Sequence, residues 1–244
     1  MSRQLLAALA ACLLASVAPV AAQRAAGSTG TIKGLVRLGG KPPGNVVIRM
    51  GMDPMCAKMY AGKRPIDEVV VVTSAAGGLG NVFVKLEGSF LATPVPAQPV
   101  VVDQRGCFYV PRMIGARVGQ VLRVKNSDNV LHNVHSLTTK SNTFNVGQPM
   151  AGMQYDFRLK DEEMLHLKCD VHRWMTAFVG VVNHPYFAVS DSSGAFEIDN
   201  VPPGTHAIQA WHERYGPIRQ TVRVGTGAAT TADFTYTGAE KPGP

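Results

Sequence analysis

Apolar and polar residues alternate in short runs along most of this chain. Tyr155, Phe157 and Leu159 interleave with Asp156, Arg158 and Lys160, the period-two pattern of an antiparallel strand with one wet face. Further β-rich runs occupy residues 31–37, 46–50, 69–73, 82–86, 100–102, 107–110, 121–125 and 164–169, most of them bounded by turn-forming residues. Long helical periodicity is absent, so the pattern predicts an all-β protein made of sandwiches or barrels. Residues 91–99, with Pro94, Pro96 and Pro99, read as a stiff connector. A second block begins near His184. Ser190-Asp191-Ser192-Ser193-Gly194 before Ala195-Phe196-Glu197-Ile198 is a hairpin signal, and Val201-Pro202-Pro203-Gly204 turns the chain into a run over 205–211. Runs at 221–224 and 232–236 add strands, while 225–229 and the tail 238–244 are expected to be flexible.

The start of the chain has a different pattern. Arg3 precedes an apolar run over residues 5–20, and Val20-Ala21-Ala22 forms a small-x-small cleavage site, so residues 1–22 read as a signal peptide. The run is too short to span a bilayer once cut there. Leu9-Ala10-Ala11-Cys12 has the form of a lipoprotein cleavage box, but the apolar run continues well past it. The expectation is a periplasmic or otherwise secreted protein. Losing Cys12 leaves Cys56, Cys107 and Cys169, an odd count for an oxidising compartment. One disulfide plus one cysteine protected by a metal accounts for it. The formal net charge is +7, and the leader carries one of those charges. A solvated basic surface explains the excess, and docking to an acidic partner is the sharper reading. Aromatics are few and do not alternate with basic runs, which argues against nucleic acid.

The chemistry concentrates in Cys169-Asp170-Val171-His172-Arg173-Trp174-Met175. A thiolate, an imidazole and a thioether lie within one turn, spaced C-x2-H-x2-M, and soft sulfur with borderline nitrogen suits copper. Alternation through 164–169 places Leu165, Leu167 and Cys169 on one face, so Cys169 ends a strand with its sulfur inward and His166 outward. A second histidine comes from His132-Asn133-Val134-His135, where His132 and His135 take opposite faces and only one can reach the metal. Met175 is either an axial ligand or a packing residue. Met50, Met52, Met55 and Met59 cluster near Cys56, either as gap-filling residues or as a Cu(I) loading site.

The order His, then Cys-x2-His-x2-Met, resembles the cupredoxin family, with a ligand loop similar in length to that of amicyanin. The resemblance covers roughly residues 69–182 and implies an eight-stranded Greek-key sandwich with one type 1 copper ion held by His132, Cys169, His172 and Met175. It also implies that Asn133 ties the two ligand loops and tunes the sulfur. The run from Asp191 to Thr205 resembles the carboxypeptidase regulatory-like domain, a smaller transthyretin-like sandwich. The Cys56 and Cys107 segments resemble those of bacterial periplasmic proteins combining both domain types, which implies a Cys56–Cys107 disulfide, free core thiols being the alternative. The expected organisation is a copper domain at 66–183 and a regulatory-like sandwich at 184–237, completed by 30–51.

The leading expectation is single-electron transfer between protein redox partners, with His172 and Trp174 at the surface as the docking and entry edge. Trp174 serves equally as a plain contact residue. A copper enzyme with a second centre would need paired His-x-His units, which the seven histidines do not form, so no enzymatic activity is expected. The alternative is a copper-binding or metal-free structural subunit that uses its sandwiches for partner binding.

Overall fold

The structure is a computed structural model that describes residues 28–72 and 77–240. The expected signal peptide therefore lies outside the described residues. The first part of the chain holds β1 (Gly30–Leu38), β2 (Val46–Val47), a 3-10 turn (Met50–Met52), α1 (Pro54–Tyr60), β3 (Ile66–Asp67) and β4 (Phe83–Glu87). Next come β5 (Val100–Gln104), β6 (Tyr109–Val110), β7 (Met113–Arg117), β8 (Val121–Asn126) and β9 (His132–Leu137). They are followed by β10 (Asn145–Gln148), β11 (Gln154–Arg158), β12 (Glu163–Lys168) and β13 (Thr176–Val182). The last stretch gives β14 (Phe187–Val189), β15 (Ala195–Val201), β16 (Gly204–His212), β17 (Gly216–Val224), β18 (Ala229–Thr231) and β19 (Phe234–Tyr236).

These strands form two sandwiches, so the all-β expectation holds. In one, a five-stranded sheet ordered β10-β9-β12-β13-β7 faces a four-stranded sheet ordered β11-β8-β5-β6. Between them lie Val102, Leu122 and Val124 from one sheet and Val134, Leu165, Leu167 and Val179 from the other, all fully buried. The count exceeds the implied eight strands because the two-residue β6 pairs with β5. Strands β7, β9, β10 and β13 are not among the expected runs.

In the other sandwich β1 pairs antiparallel with β15 and parallel with β18 and β19, and the facing sheet runs β14-β4-β16-β17. Here two expectations are corrected. The run at 82–86, assigned to the copper domain, is β4, hydrogen-bonded between β14 and β16. Phe83, Val84 and Leu86 are all buried, so β4 has apolar side chains on both faces and needs cover on both, which a central strand receives. The run at 46–50 does not complete this sandwich. Its strand β2 pairs only with β3, leaving Val46 70% exposed. Residues 225–229 are hydrogen-bonded into the fold through Gly227 and Thr29, and Glu240 accepts from the Thr237 and Gly238 amides, so the described part of the tail is a bonded turn.

The sandwiches meet at a small apolar cluster of Phe83, Met113 and Val182, flanked by Phe178, Phe187 and Trp211. Gly115 on β7 and Gly180 on β13 are register partners there. A Cβ at Gly180 would lie 2.5 Å from the Phe83 ring, and one at Gly115 2.3 Å from Phe187. The missing side chains make the flat bed on which both rings rest. Gly180→Ala should therefore destabilise the protein by about 1–3 kcal/mol through overpacking, read by urea unfolding. A change within experimental error would show that the rings are not held against this strand.

Candidate metal centre

Two loops bring the chemistry together at one end of the five-stranded sheet. The upstream loop is organised by buried Asn126. Its side chain donates to the Val130 and Gln148 carbonyls at 2.9 and 2.8 Å and accepts from the Asp128 amide at 2.9 Å. Short polar side chains of this kind fix tight turns through their own backbone neighbourhood. The loop delivers His132 to the first position of β9, where it is 0% exposed. Alternation along β9 turns His135 to the opposite face, where its Nδ1 lies 3.0 Å from Asp170.

The downstream loop leaves β12 at Cys169 and is closed by backbone bonds. The Cys169 amide donates to the Met175 carbonyl at 3.2 Å, and the Met175 amide to the His172 carbonyl at 2.9 Å. Within it the His172 amide points at Cys169 Sγ at 3.4 Å. Asn133 joins the two loops, its Oδ1 accepting from the Asp170 amide at 3.1 Å.

His132 Nδ1 and His172 Nδ1 face each other at 3.1 Å, and Cys169 Sγ is 3.8 Å from His172 Nδ1. The ligand atoms of these three buried residues all lie within 4.8 Å of one another. Met175 is fully buried in the same turn. Of the residues singled out in the sequence, the structure thus gathers His132, Cys169 and His172 and leaves His135 outside.

Each ring is oriented from behind by a carboxylate absent from the expected site. His132 Nε2 lies 2.9 Å from Asp128 Oδ2, and His172 Nε2 lies 2.7 Å from Asp53 Oδ2. Asp128 also accepts from the amides of Gly106 and Cys107, both at 2.8 Å. Gly106 and Cys107 have φ of 65° and 58°, and two successive left-handed residues aim their N–H groups into one anion-holding concavity. Asp53 caps α1, its Oδ1 accepting from Met55 and Cys56 at 2.9 and 3.0 Å while Oδ2 meets His172. With Nε2 occupied on both rings, Nδ1 is the nitrogen turned toward the sulfur. This outer support is what metal-binding histidines require, and two nitrogens with one thiol form a donor set that fits copper.

The expected disulfide is present. Cys56 and Cys107 are bonded, both sulfurs are buried, and Cys56 Sγ lies 3.5 Å from His172 Nε2. The expectation of a surface-exposed His172 is corrected, because it is only 1% exposed. The turn at 50–52 and α1 fold across its outer edge and are bolted there by the disulfide. Trp174 is half-buried, its ring 5.0 Å from His172 and its Nε1 donating to the Cys107 carbonyl at 2.9 Å. Behind the site the buried Tyr109 hydroxyl bonds the carbonyls of Asn133 and Lys168, the residues adjoining His132 and Cys169.

Electrostatics favour an ionised thiol beside a proton-holding imidazole, so a metal entering the site displaces a proton from His172. Burial opposes the Cys169 thiolate, but bonds from His132, His172 and the Asn133 backbone overcome it and pull the thiol down to about 6. Burial likewise disfavours charge on His172, and its bonds to Cys169 and Asp53 outweigh that and raise its affinity for the proton.

Residues 176–237 match the carboxypeptidase regulatory-like domain family. No curated protein matches the chain. Among solved structures, the chain is similar to a purple cupredoxin from Nitrosopumilus maritimus, with 22% identity, 33% of this chain and 97% of that chain covered, and a TM-score of 0.30. It is also similar to a Cu(I) amicyanin mutant, with 20% identity, 40% and 97% covered, and a TM-score of 0.31. A copper-containing nitrite reductase from Thermus scotoductus SA-01 shows 17% identity, 38% and 24% coverage, and a TM-score of 0.31.

The Cys169 thiol ionises at about 6 in the folded chain against 9.0 for an unperturbed thiol. Its contribution to stability is therefore complete above about pH 9 and is lost as pH falls toward 6. Ultraviolet titration of the metal-free protein should show one thiolate step with its midpoint near pH 6, absent in Cys169→Ser. A midpoint near the unperturbed 9.0 would show that the two imidazoles do not stabilise the thiolate.

Proposed function

We propose that this is an exported type 1 copper protein that carries single electrons between protein partners, one of them acidic, and catalyses no net conversion of a substrate. The observation that supports this most directly is the convergence of His132 Nδ1, His172 Nδ1 and a depressed-pKa Cys169 thiol within 4.8 Å. His132, Cys169 and His172 would hold the ion, with Met175 available from the same turn. Bound copper would supply a one-electron couple. The chain's part is to keep the donor positions the same in both oxidation states, so that little reorganisation accompanies transfer. The antiparallel pairing of β9 with β12, the Asn133 tie and the two carboxylate-anchored rings serve that purpose.

The closure of His172 by Asp53 and the disulfide favours a second reading, a copper-holding subunit without rapid exchange of electrons. The two separate on a redox titration: a carrier is reversibly reduced and reoxidised by small mediators within seconds.

Addition of Cu(II) should produce an intense visible thiolate-to-copper charge-transfer band that Cys169→Ser abolishes. His132→Ala should remove most of the copper affinity, and His135→Ala should leave the spectrum unchanged. Asp128→Asn should weaken copper binding by about 10–100-fold while keeping the band, because it disturbs only the orientation of His132. Copper bound without a thiolate band, through oxygen and nitrogen alone, would sink the electron-carrier reading.

A further inference from the structure

The outer edges of both ligand rings are closed. His172 is backed by Asp53 and Cys56, and His132 by Asp128, all buried or half-buried. A partner therefore cannot touch either imidazole. A different surface leads inward. The segment after α1 lies against the β5–β6 turn and leaves a cleft of about 580 Å³. Its inner wall is Tyr109 and Phe108 with Tyr60, and its rim carries Lys63, Arg64 and Arg105.

The rim is electropositive. Among the described residues Lys63, Arg64 and Arg105 are exposed and form no ion pair, whereas Arg112 at the back is neutralised by Asp67 and Glu213. Glu68 is the one carboxylate lining the cleft. Tyr60 holds the aromatic wall in place, donating to the Gly106 carbonyl at 2.8 Å and meeting the Phe108 ring edge-on.

Tyr109 connects this wall to the metal centre. Its hydroxyl bonds the carbonyls of Lys168 and Asn133, each one peptide unit from a ligand, Cys169 or His132. Resting on the electron-carrier reading above, we propose that an acidic segment of a protein redox partner docks in this cleft and that electrons reach the centre through Tyr109, not over the His172 edge. One electron passes from the partner to the ion or back, and no covalent bond is made or broken. Tyr109 keeps its proton throughout: burial first, then the nearby Cys169 and Asp170 charges, push its ionisation far upward. It acts as a bridge, not as a radical site.

The copper-loaded protein tests this by stopped flow with two small one-electron reductants of opposite charge, ferrocyanide and hexaammineruthenium(II). Reversing Lys63, Arg64 and Arg105 together to Glu should slow the anionic reagent by about tenfold or more and not slow the cationic one. Reversing Lys41, Lys160 and Arg223, exposed at other places, changes net charge equally and should have less than about a twofold effect. Tyr109→Phe should slow both reagents without shifting the charge-transfer band. Equal effects of the two charge reversals, or full-rate transfer in Tyr109→Phe, would overturn the proposal.

Docking is read separately by NMR titration with hexaglutamate, which should shift the Phe108, Tyr109 and Arg105 signals and fail to do so in the cleft reversal. Tighter binding there by an oligothymidylate would also overturn it. A protein that binds hexaglutamate in the cleft but holds no reducible copper would refute the electron-carrier reading and spare the docking surface.

Discussion

The carboxylate of Asp128 is the contact on which the candidate metal centre turns. It receives two backbone amides from the β5–β6 turn and the outer nitrogen of His132 from the following strand. A buried carboxylate is costly unless its lone pairs are filled, and here three donors fill them. The same arrangement that satisfies Asp128 fixes the His132 ring with Nδ1 inward. It also explains why Cys107 accepts a left-handed backbone that β-carbon sterics disfavour: its amide must point at Asp128 while its sulfur bonds Cys56. One ion-like contact thus couples the loop geometry, the covering segment and the ligand set.

Asp53 plays the matching part for His172, but from a segment that belongs to neither sandwich. Residues between β2 and β3 form a short excursion whose own strands are exposed and poorly packed. It is held by the Asp53–His172 bond, the Cys56–Cys107 bridge, the Tyr60 hydroxyl on Gly106 and a small buried cluster in which Ile48, Met50 and Cys56 meet Cys107 and Val130 of the main body. A segment of this kind gains little from a hydrophobic core of its own, and a covalent tie to the main body is the usual remedy. Its placement gives the centre a dry outer wall, which strengthens every polar contact inside.

Much of this was legible in the amino-acid sequence because it is local. Period-two alternation in 164–169 and the C-x2-H-x2-M spacing place Cys169, His172 and Met175 in one turn, and opposite-face logic separates His132 from His135. The hairpin at Asp191–Gly194 is equally local. Asp53 and Asp128 were not legible as partners, though each carried a signal. Asp53 precedes Pro54 as a helix cap, and Asp128 stands four residues before His132. What they hold is set by tertiary approach across 119 residues in the first case. Likewise nothing in Phe83–Glu87 states which sheet it joins. An apolar run buried on both faces suits the centre of either, and only packing with β14 and β16 decides.

Strand β1 has a consequence for how the molecule is assembled in time. Apart from a single bridge between Arg37 and Gly78, its partners β15, β18 and β19 stand far along the chain, with Gly30 opposite Val201. A polypeptide delivered from its amino end presents β1 first and pairs it last. In the interval only its last residues have a partner, at Gly77–Leu79, and the backbone from Gly30 to Leu35 offers an open edge. Closure across so long a loop is slow, so the metal-bearing sandwich between has the opportunity to form first. The order in which the two bodies mature is therefore written into strand connectivity, the outer sandwich closing only once β15, β18 and β19 are available to β1.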